Sequence, residues 1–166
     1  MKTPSIPLEK IAALEPAELR TTVPDSYRDL NGHMNVRWYV ALFDDASDVL
    51  HDRLGLTAEY HRAHGSGTFD LEHHTHFLTE VMPGERVAIY TRYLGWSPKR
   101  LHYVMFLVNE SRPRLAATIE CINAYADLTA RRTAEWPPEV KERIARMVER
   151  HAALGWPTPV SGVMAP

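Results

Sequence analysis

The sequence predicts an α+β fold, an antiparallel sheet of about five strands with one long apolar helix to bury against it. Three observations carry this reading. From Val36 onward apolar residues recur at three- and four-residue steps, through Tyr39, Val40, Phe43, Ala46 and Leu50, which is one face of a helix. From Phe69 the period drops to two, with Phe69, Leu71, His73, Thr75 and Phe77 alternating against Asp70, Glu72, His74, His76 and Leu78, as in a strand. The run from Leu101 to Val108 is apolar almost throughout, which suits a central strand buried on both faces.

The remaining elements fall into place around these. Residues 1–17 carry prolines at 4, 7 and 16 and read as an arm with at most a short helical turn. Leu19 to Val23 reads as a first strand, stopped by Pro24. The long helix runs from Val36 to about Leu54, and Gly55 ends it. A short helix follows from Thr57 to about His64. After the Phe69 strand, Pro83-Gly84 makes a turn, and Arg86 to Leu94 is the next strand. Asn109 to Pro113 is a hairpin turn, and Leu115 to Tyr125 is the last long strand. Asp127 to Glu135 is a polar connection, and Pro137-Pro138 introduces a helix, Glu139 to Ala153, with an apolar stripe of Val140, Ile144, Met147 and Val148. Residues 155–166, with three prolines and two glycines, read as an irregular tail. The expected divisions are an arm at 1–17, a main domain at 18–135, a C-terminal helix at 136–154 and the tail.

Composition narrows the function. A formal charge of −2 and a pI near 6.5 lack the basic footprint of a nucleic-acid binder. Cys121 is the only cysteine, so an internal disulfide is impossible and a reducing cytoplasm fits. Residues 1–20 lack a signal-peptide core, and the longest strongly apolar run, Val104 to Val108, is far too short to span a membrane. Six of the nine histidines lie between His51 and His76.

The chemistry concentrates just before the long helix, in Tyr27-Arg28-Asp29-Leu30-Asn31-Gly32-His33-Met34-Asn35. Asn35 is a good N-cap type. If it caps, it takes the amide of Arg37 or Trp38 and leaves the Val36 amide free. A free N–H at a helix start suits a developing negative charge. Gly32 lets the turn fold Asp29 back toward that amide. The stretch thus offers a carboxylate as base or nucleophile, an oxyanion donor and an adjustable imidazole, His33.

With Tyr39, these residues resemble the D-x-x-G-H-[VM]-N-x-x-x-Y signature of hot-dog-fold acyl-CoA thioesterases of the 4-hydroxybenzoyl-CoA thioesterase type. The resemblance continues through Phe43-Asp44-Asp45-Ala46, Glu72-His73-His74, Glu80-Val81-Met82-Pro83-Gly84-Glu85, Lys99-Arg100-Leu101-His102 and Ala116-Ala117-Thr118-Ile119-Glu120. In this spacing the chain is similar to the branch acting on betainyl-CoA in carnitine breakdown. Three positions depart from the pattern. Tyr27 replaces a frequent second acid, Ser47 a frequent Arg, and Tyr125 a frequent His. The resemblance implies a sheet wrapped around the long helix and cofactor-free, metal-independent hydrolysis of a small acyl-CoA. It implies a dimer or tetramer with each site at an interface. Asp29 would be the catalytic carboxylate, the Val36 amide would polarise the carbonyl, and His33 would orient the carbonyl or the water. Glu72 and His74 would join from a neighbouring subunit. Tyr27, Gly32, Trp38, Tyr39 and Trp96 are candidates around the acyl group, the aromatics with Glu72 as a cage for a trimethylammonium. Lys99, Arg100, Arg131 and Arg132 are candidates for the CoA phosphates.

Two rivals follow from the same residues. One is a hot-dog protein that binds acyl-CoA without turnover. The other is a cupin-like metal barrel, because His74-Thr75-His76 with Glu80 forms an H-x-H-x-x-x-E core. Val87 stands where the cupin pattern expects Gly, and that barrel has no place for a long central helix.

Overall fold

The computed structural model describes residues 6–166. The first five residues of the expected arm lie outside them. The chain forms α1 (Leu8–Ala12), β1 (Leu19–Thr22), a 3-10 turn at Asp25–Tyr27, α2 (Val36–Arg53), α3 (Ala58–His64), β2 (Ser66–Phe77), β3 (Arg86–Trp96), β4 (Arg100–Asn109), β5 (Arg114–Asp127), β6 (Arg132–Thr133) and α4 (Pro138–Ala152). The sheet order is β1-β3-β4-β5-β2, with β6 paired to β5. β1 runs antiparallel to β3, with Leu19 opposite Ile89 and Thr22 opposite Arg86.

Every long element predicted from the periodicity is present. β3, β4 and β5 are buried on both faces, so the apolar Leu101–Val108 run does lie in a central strand. Two expectations are corrected. The polar connection after Asp127 contains β6, whose pairs Ala126–Thr133 and Asp127–Arg132 close a hairpin on β5. It was invisible because two exposed residues carry no period. On α2 the buried stripe is Tyr39, Leu42, Phe43, Ala46 and Leu50, whereas Val36 is 55% and Val40 42% exposed. Val36 has the right angle for the stripe but sits on the first turn, where it walls a cleft instead of filling the core.

The chain folds into two compact units. The first holds residues up to Val49 with Thr75–Thr91 and Met105–Ile119. Its core includes Met34, Tyr39, Leu42, Phe43, Ala46, Ile89 and Phe106. The second holds Leu50–His74, Arg92–Val104 and Glu120–Pro166. Leu50, Leu101, Tyr103, Trp136, Val140 and Ile144 are buried in it. The tail has no regular structure, yet Trp156 and Met164 are buried. Trp156 lies under the Arg92 guanidinium, 4.0 Å from its ring centroid.

Candidate active site

The loop before α2 is fixed by bonds between near neighbours. The Asp29 amide donates to the His33 carbonyl (2.9 Å), the Gly32 amide to the Asp29 carbonyl (3.0 Å), and the Asn35 amide to the Tyr27 carbonyl (2.9 Å). Gly32 has φ +87°, the left-handed region in which a side chain is strained. Asp29 Oδ1 accepts from the Asn31 amide at 2.8 Å. Its other oxygen lies 3.6 Å from His33 Nδ1, and the side chain is 15% exposed. The same Nδ1 is 3.2 Å from the Met34 carbonyl. Asp29 and His33 therefore sit side by side.

Asn35 caps the helix as its residue type predicts. Its side-chain oxygen accepts from the Arg37 amide at 3.1 Å, and its carbonyl accepts from the Trp38 amide at 3.0 Å. No hydrogen bond to the Val36 amide is found among the described residues. A cleft of about 310 Å³ opens beside it, lined by His33, Met34, Val36, Tyr39, Phe77, Leu78, Thr79 and Glu80. Tyr39 holds the far wall. Its hydroxyl accepts from the Val81 amide (3.1 Å) and donates to the Thr79 carbonyl (3.4 Å). Its ring meets Phe77 edge to face at 5.3 Å. Burial, with the nearby charges of Glu80 and Glu85, pushes the Tyr39 phenol up and keeps it protonated.

Of the residues singled out in the sequence, His33, Val36 and Tyr39 line this cleft. Asp29 and Asn35 adjoin it through their bonds to the same loop. Tyr27 and Trp38 stack on each other, 3.9 Å apart and 3° from parallel, and the Arg37 guanidinium lies 4.9 Å from the Trp38 ring centroid. Glu72, His74, Trp96, Lys99 and Arg100 are not among the lining residues. Glu72, Lys99 and Arg100 are exposed and Trp96 is half-buried. His74 Nδ1 lies 3.8 Å from the buried Glu120 carboxylate. Arg131 and Arg132 border a second cleft of about 390 Å³ with Thr68, Phe69, Ala126, Asp127, Leu128 and Thr133. Asp127 shapes it, because its carboxylate accepts the amides of Thr129 and Ala130, both at 2.9 Å, and turns the chain toward Arg131.

Sequence reasoning gave Phe77 and Glu80 no part in a thioester site. Both reach the cleft because Tyr39 staples the segment after β2 to α2 across 40 and 42 residues of chain.

An antiparallel sheet in this order with one long helix is the hot-dog fold, and the unbonded amide at the head of that helix suits a reaction that develops negative charge on a carbonyl oxygen. Residues 23–144 match the thioesterase-like superfamily, and the chain belongs to that family. It is 34% identical over 144 residues to betainyl-CoA thioesterase of Pseudomonas aeruginosa, covering 87% of this chain and 91% of the relative. It is 36% identical over 130 residues to the L-carnitine dehydrogenase/betainyl-CoA thioesterase of Agrobacterium fabrum, covering 78% of this chain but 26% of that longer protein. A Staphylococcus aureus protein solved in complex with CoA superposes with a TM-score of 0.80 at 25% identity, over 89% of this chain and 93% of that one. The cupin-like rival falls with the fold. No helix among the described residues is long and apolar enough to cross a membrane.

Proposed function

We propose that this enzyme hydrolyses a small acyl-CoA, betainyl-CoA foremost, to the free acid and CoA without a cofactor, and that residues 18–135 form the domain responsible. The observation that carries the reading is the Val36 amide, free of other hydrogen bonds and beside the cleft, in the same short stretch as a carboxylate held next to His33. Asp29 either takes a proton from water as it attacks the carbonyl carbon, or attacks that carbon itself to form a mixed anhydride that water then cleaves. The carbonyl oxygen gains negative charge in either route, and the Val36 N–H donates to it. Collapse expels the CoA thiolate. The Asn31 amide holds the Asp29 carboxylate in place, with the His33 imidazole beside it. Betainyl-CoA is favoured because the relatives sharing most of this chain are named for it.

Four basic residues, Lys99, Arg100, Arg131 and Arg132, are the candidates for the CoA phosphates. The CoA-bound neighbour supports a CoA ligand. Assembly is part of the proposal. β2 is an edge strand, whose outer row of backbone groups is of the kind proteins cover, and its Phe69 and Leu71 are 65% and 43% exposed. Pairing of two β2 edges in a homodimer, or a tetramer of such dimers, buries it and brings Glu72 and His74 to a partner's site. The enzyme acts in the cytoplasm on this reading.

A panel of CoA thioesters with free-thiol detection tests the activity. Release of thiol from betainyl-CoA is expected. A protein that binds these esters and releases no thiol is the non-catalytic binder instead. Light scattering at micromolar concentration tests assembly, and an active monomer would refute the shared site.

A further inference from the structure

We propose that Glu80, with the open face of Phe77, recognises a quaternary ammonium at the end of the acyl group, so that the cleft selects a cationic acyl chain. This rests on the thioesterase reading above and names its specificity element. The cleft wall combines Met34, Val36 and Leu78 with the rings of Tyr39 and Phe77, the His33 imidazole and one acidic residue, Glu80. A trimethylammonium is a bulky, weakly hydrated cation that cannot donate a hydrogen bond. It is bound by aromatic faces and by charge at a distance. Phe77 is half exposed, with one contact to Tyr39, so its ring has surface left for a ligand.

The charge balance points the same way. Arg112 donates to the Glu80 backbone carbonyl at 3.4 Å. That guanidinium is already committed to Glu85, through a close Nε–Oε1 pair and a second bond of 2.9 Å. Glu85 is further held by the Met82 amide (2.8 Å) and Asn109 (2.7 Å), so it and Arg112 neutralise each other. Glu80, an exposed residue of the cleft wall, is not neutralised by that pair, while Asp29, the other carboxylate nearby, is held by the Asn31 amide. The aromatic pair nearest the loop is less suited. One face of Trp38 is covered by Tyr27 at 3.9 Å, and the Arg37 guanidinium already holds a cation position 4.9 Å from its centroid.

The experiment compares kcat/KM for betainyl-CoA and for 3,3-dimethylbutyryl-CoA, which has the same shape without the charge. The wild-type enzyme is expected to favour the cation about tenfold or more. In Glu80→Gln that ratio should fall about tenfold, mainly through KM of the betainyl ester. Glu80→Asp should retain much of it. Glu80→Lys should invert the selection and raise turnover of an anionic acyl such as glutaryl-CoA. Phe77→Leu should lower the ratio by a smaller factor. An unchanged ratio in Glu80→Gln, or equal losses on both esters, overturns the proposal while leaving the thioesterase reading intact. Absence of thiol release by the wild-type enzyme from any ester overturns the thioesterase reading itself.

Discussion

The loop that opens α2 and the polar interior of the second unit are both rich in charged and amide groups, but they are built differently. In the loop nearly every bond joins residues one to eight positions apart: Asn31 to Asp29, Asp29 to His33, Asn35 to Tyr27, Arg37 to Asn35. In the interior the partners are remote. His102 Nε2 meets Glu120 Oε1 at 2.9 Å across 18 residues, and the Ser161 amide donates to the other oxygen at 2.6 Å across 41. Asn123 donates to Asp70 at 2.6 Å across 53. Arg92 donates to the Trp156 carbonyl at 2.7 Å across 64. Local bonds fix a shape the chain can adopt without the rest of the fold, and they leave one amide and one carboxylate for a ligand. Remote bonds satisfy groups that burial would otherwise penalise. The difference teaches that changes in the loop should cost rate, and changes in the interior should cost stability.

The sharpest test removes the loop's two chemical groups. Asp29→Asn keeps shape and deletes the charge, and thioester hydrolysis is expected to fall at least about a hundredfold. Val36→Pro deletes the free N–H. Proline suits the first helical position, and an N-cap residue such as Asn35 ordinarily has the extended backbone that a following proline favours. The expected loss in kcat is about a hundredfold to a thousandfold, while Val36→Ala retains the donor. Thermal melts of both variants should stay close to wild type. Unfolding of either, or hydrolysis retained within a few-fold, would break the comparison from this side.

The opposite loss is expected at Glu120, which is 1% exposed. Glu120→Ala strands His102 and the Ser161 amide together, at about 1–3 kcal/mol for each unsatisfied group. Denaturant titration should show that loss. Limited proteolysis should then cut within the tail, because its Ser161 anchor is gone. Glu120→Gln keeps an acceptor and should lose less. A Glu120→Ala protein of wild-type stability would place the tail's hold elsewhere.

The same contrast decides what could be read in advance. The long helix, the strands and the cap at Asn35 were legible because helical and strand periods and capping chemistry are local. The loop's shape was legible for the same reason, since Gly32, Asp29 and Asn35 act within a few residues of themselves. Glu120 lies in the run read as the last long strand, and nothing nearby announces that His102 and Ser161 will close over it. Glu80 and Phe77 were hidden likewise, because the Tyr39 hydroxyl that brings them to the cleft lies about 40 residues away.

A smaller effect comes from pH. His151 is buried, and its Nδ1 accepts the Tyr93 amide at 2.9 Å, a bond only the unprotonated nitrogen can make. Burial, with Arg150 and Arg92 nearby, pushes its pKa down to about 4, and burial does the same to His51, to about 4. Unfolded histidines titrate near 6.5. Between these values the unfolded chain binds more protons, so stability is complete above about pH 6.5 and is lost progressively as pH falls toward 4. Melting temperature should therefore drop between pH 7 and 5. In His151→Asn, whose amide oxygen can replace Nδ1 without titrating, the drop should be shallower, by roughly 1–2 kcal/mol of stability at pH 5. Parallel pH profiles for the two proteins would remove His151 from the account.

The smallest change, Asn35→Ala, falls where the two kinds of loss meet. The cap bond to the Arg37 amide is local, yet it contributes to stability like any N-cap, and its loss costs about 1 kcal/mol. It also fixes the first turn, and with it the direction of the Val36 N–H. If that amide holds the oxyanion, kcat should fall by up to about tenfold with KM little changed, because the ground-state carbonyl draws less on the donor than the transition state does. Asn35→Asp separates the two consequences. Aspartate caps as well as asparagine and suits the positive end of the helix dipole, so the melting temperature should recover. Its charge, one residue from the Val36 amide, opposes a developing oxyanion, so kcat should not recover. Recovery of both in Asn35→Asp would mean that the negative charge of the reaction develops away from the head of α2, and the Val36 amide would lose its assigned part.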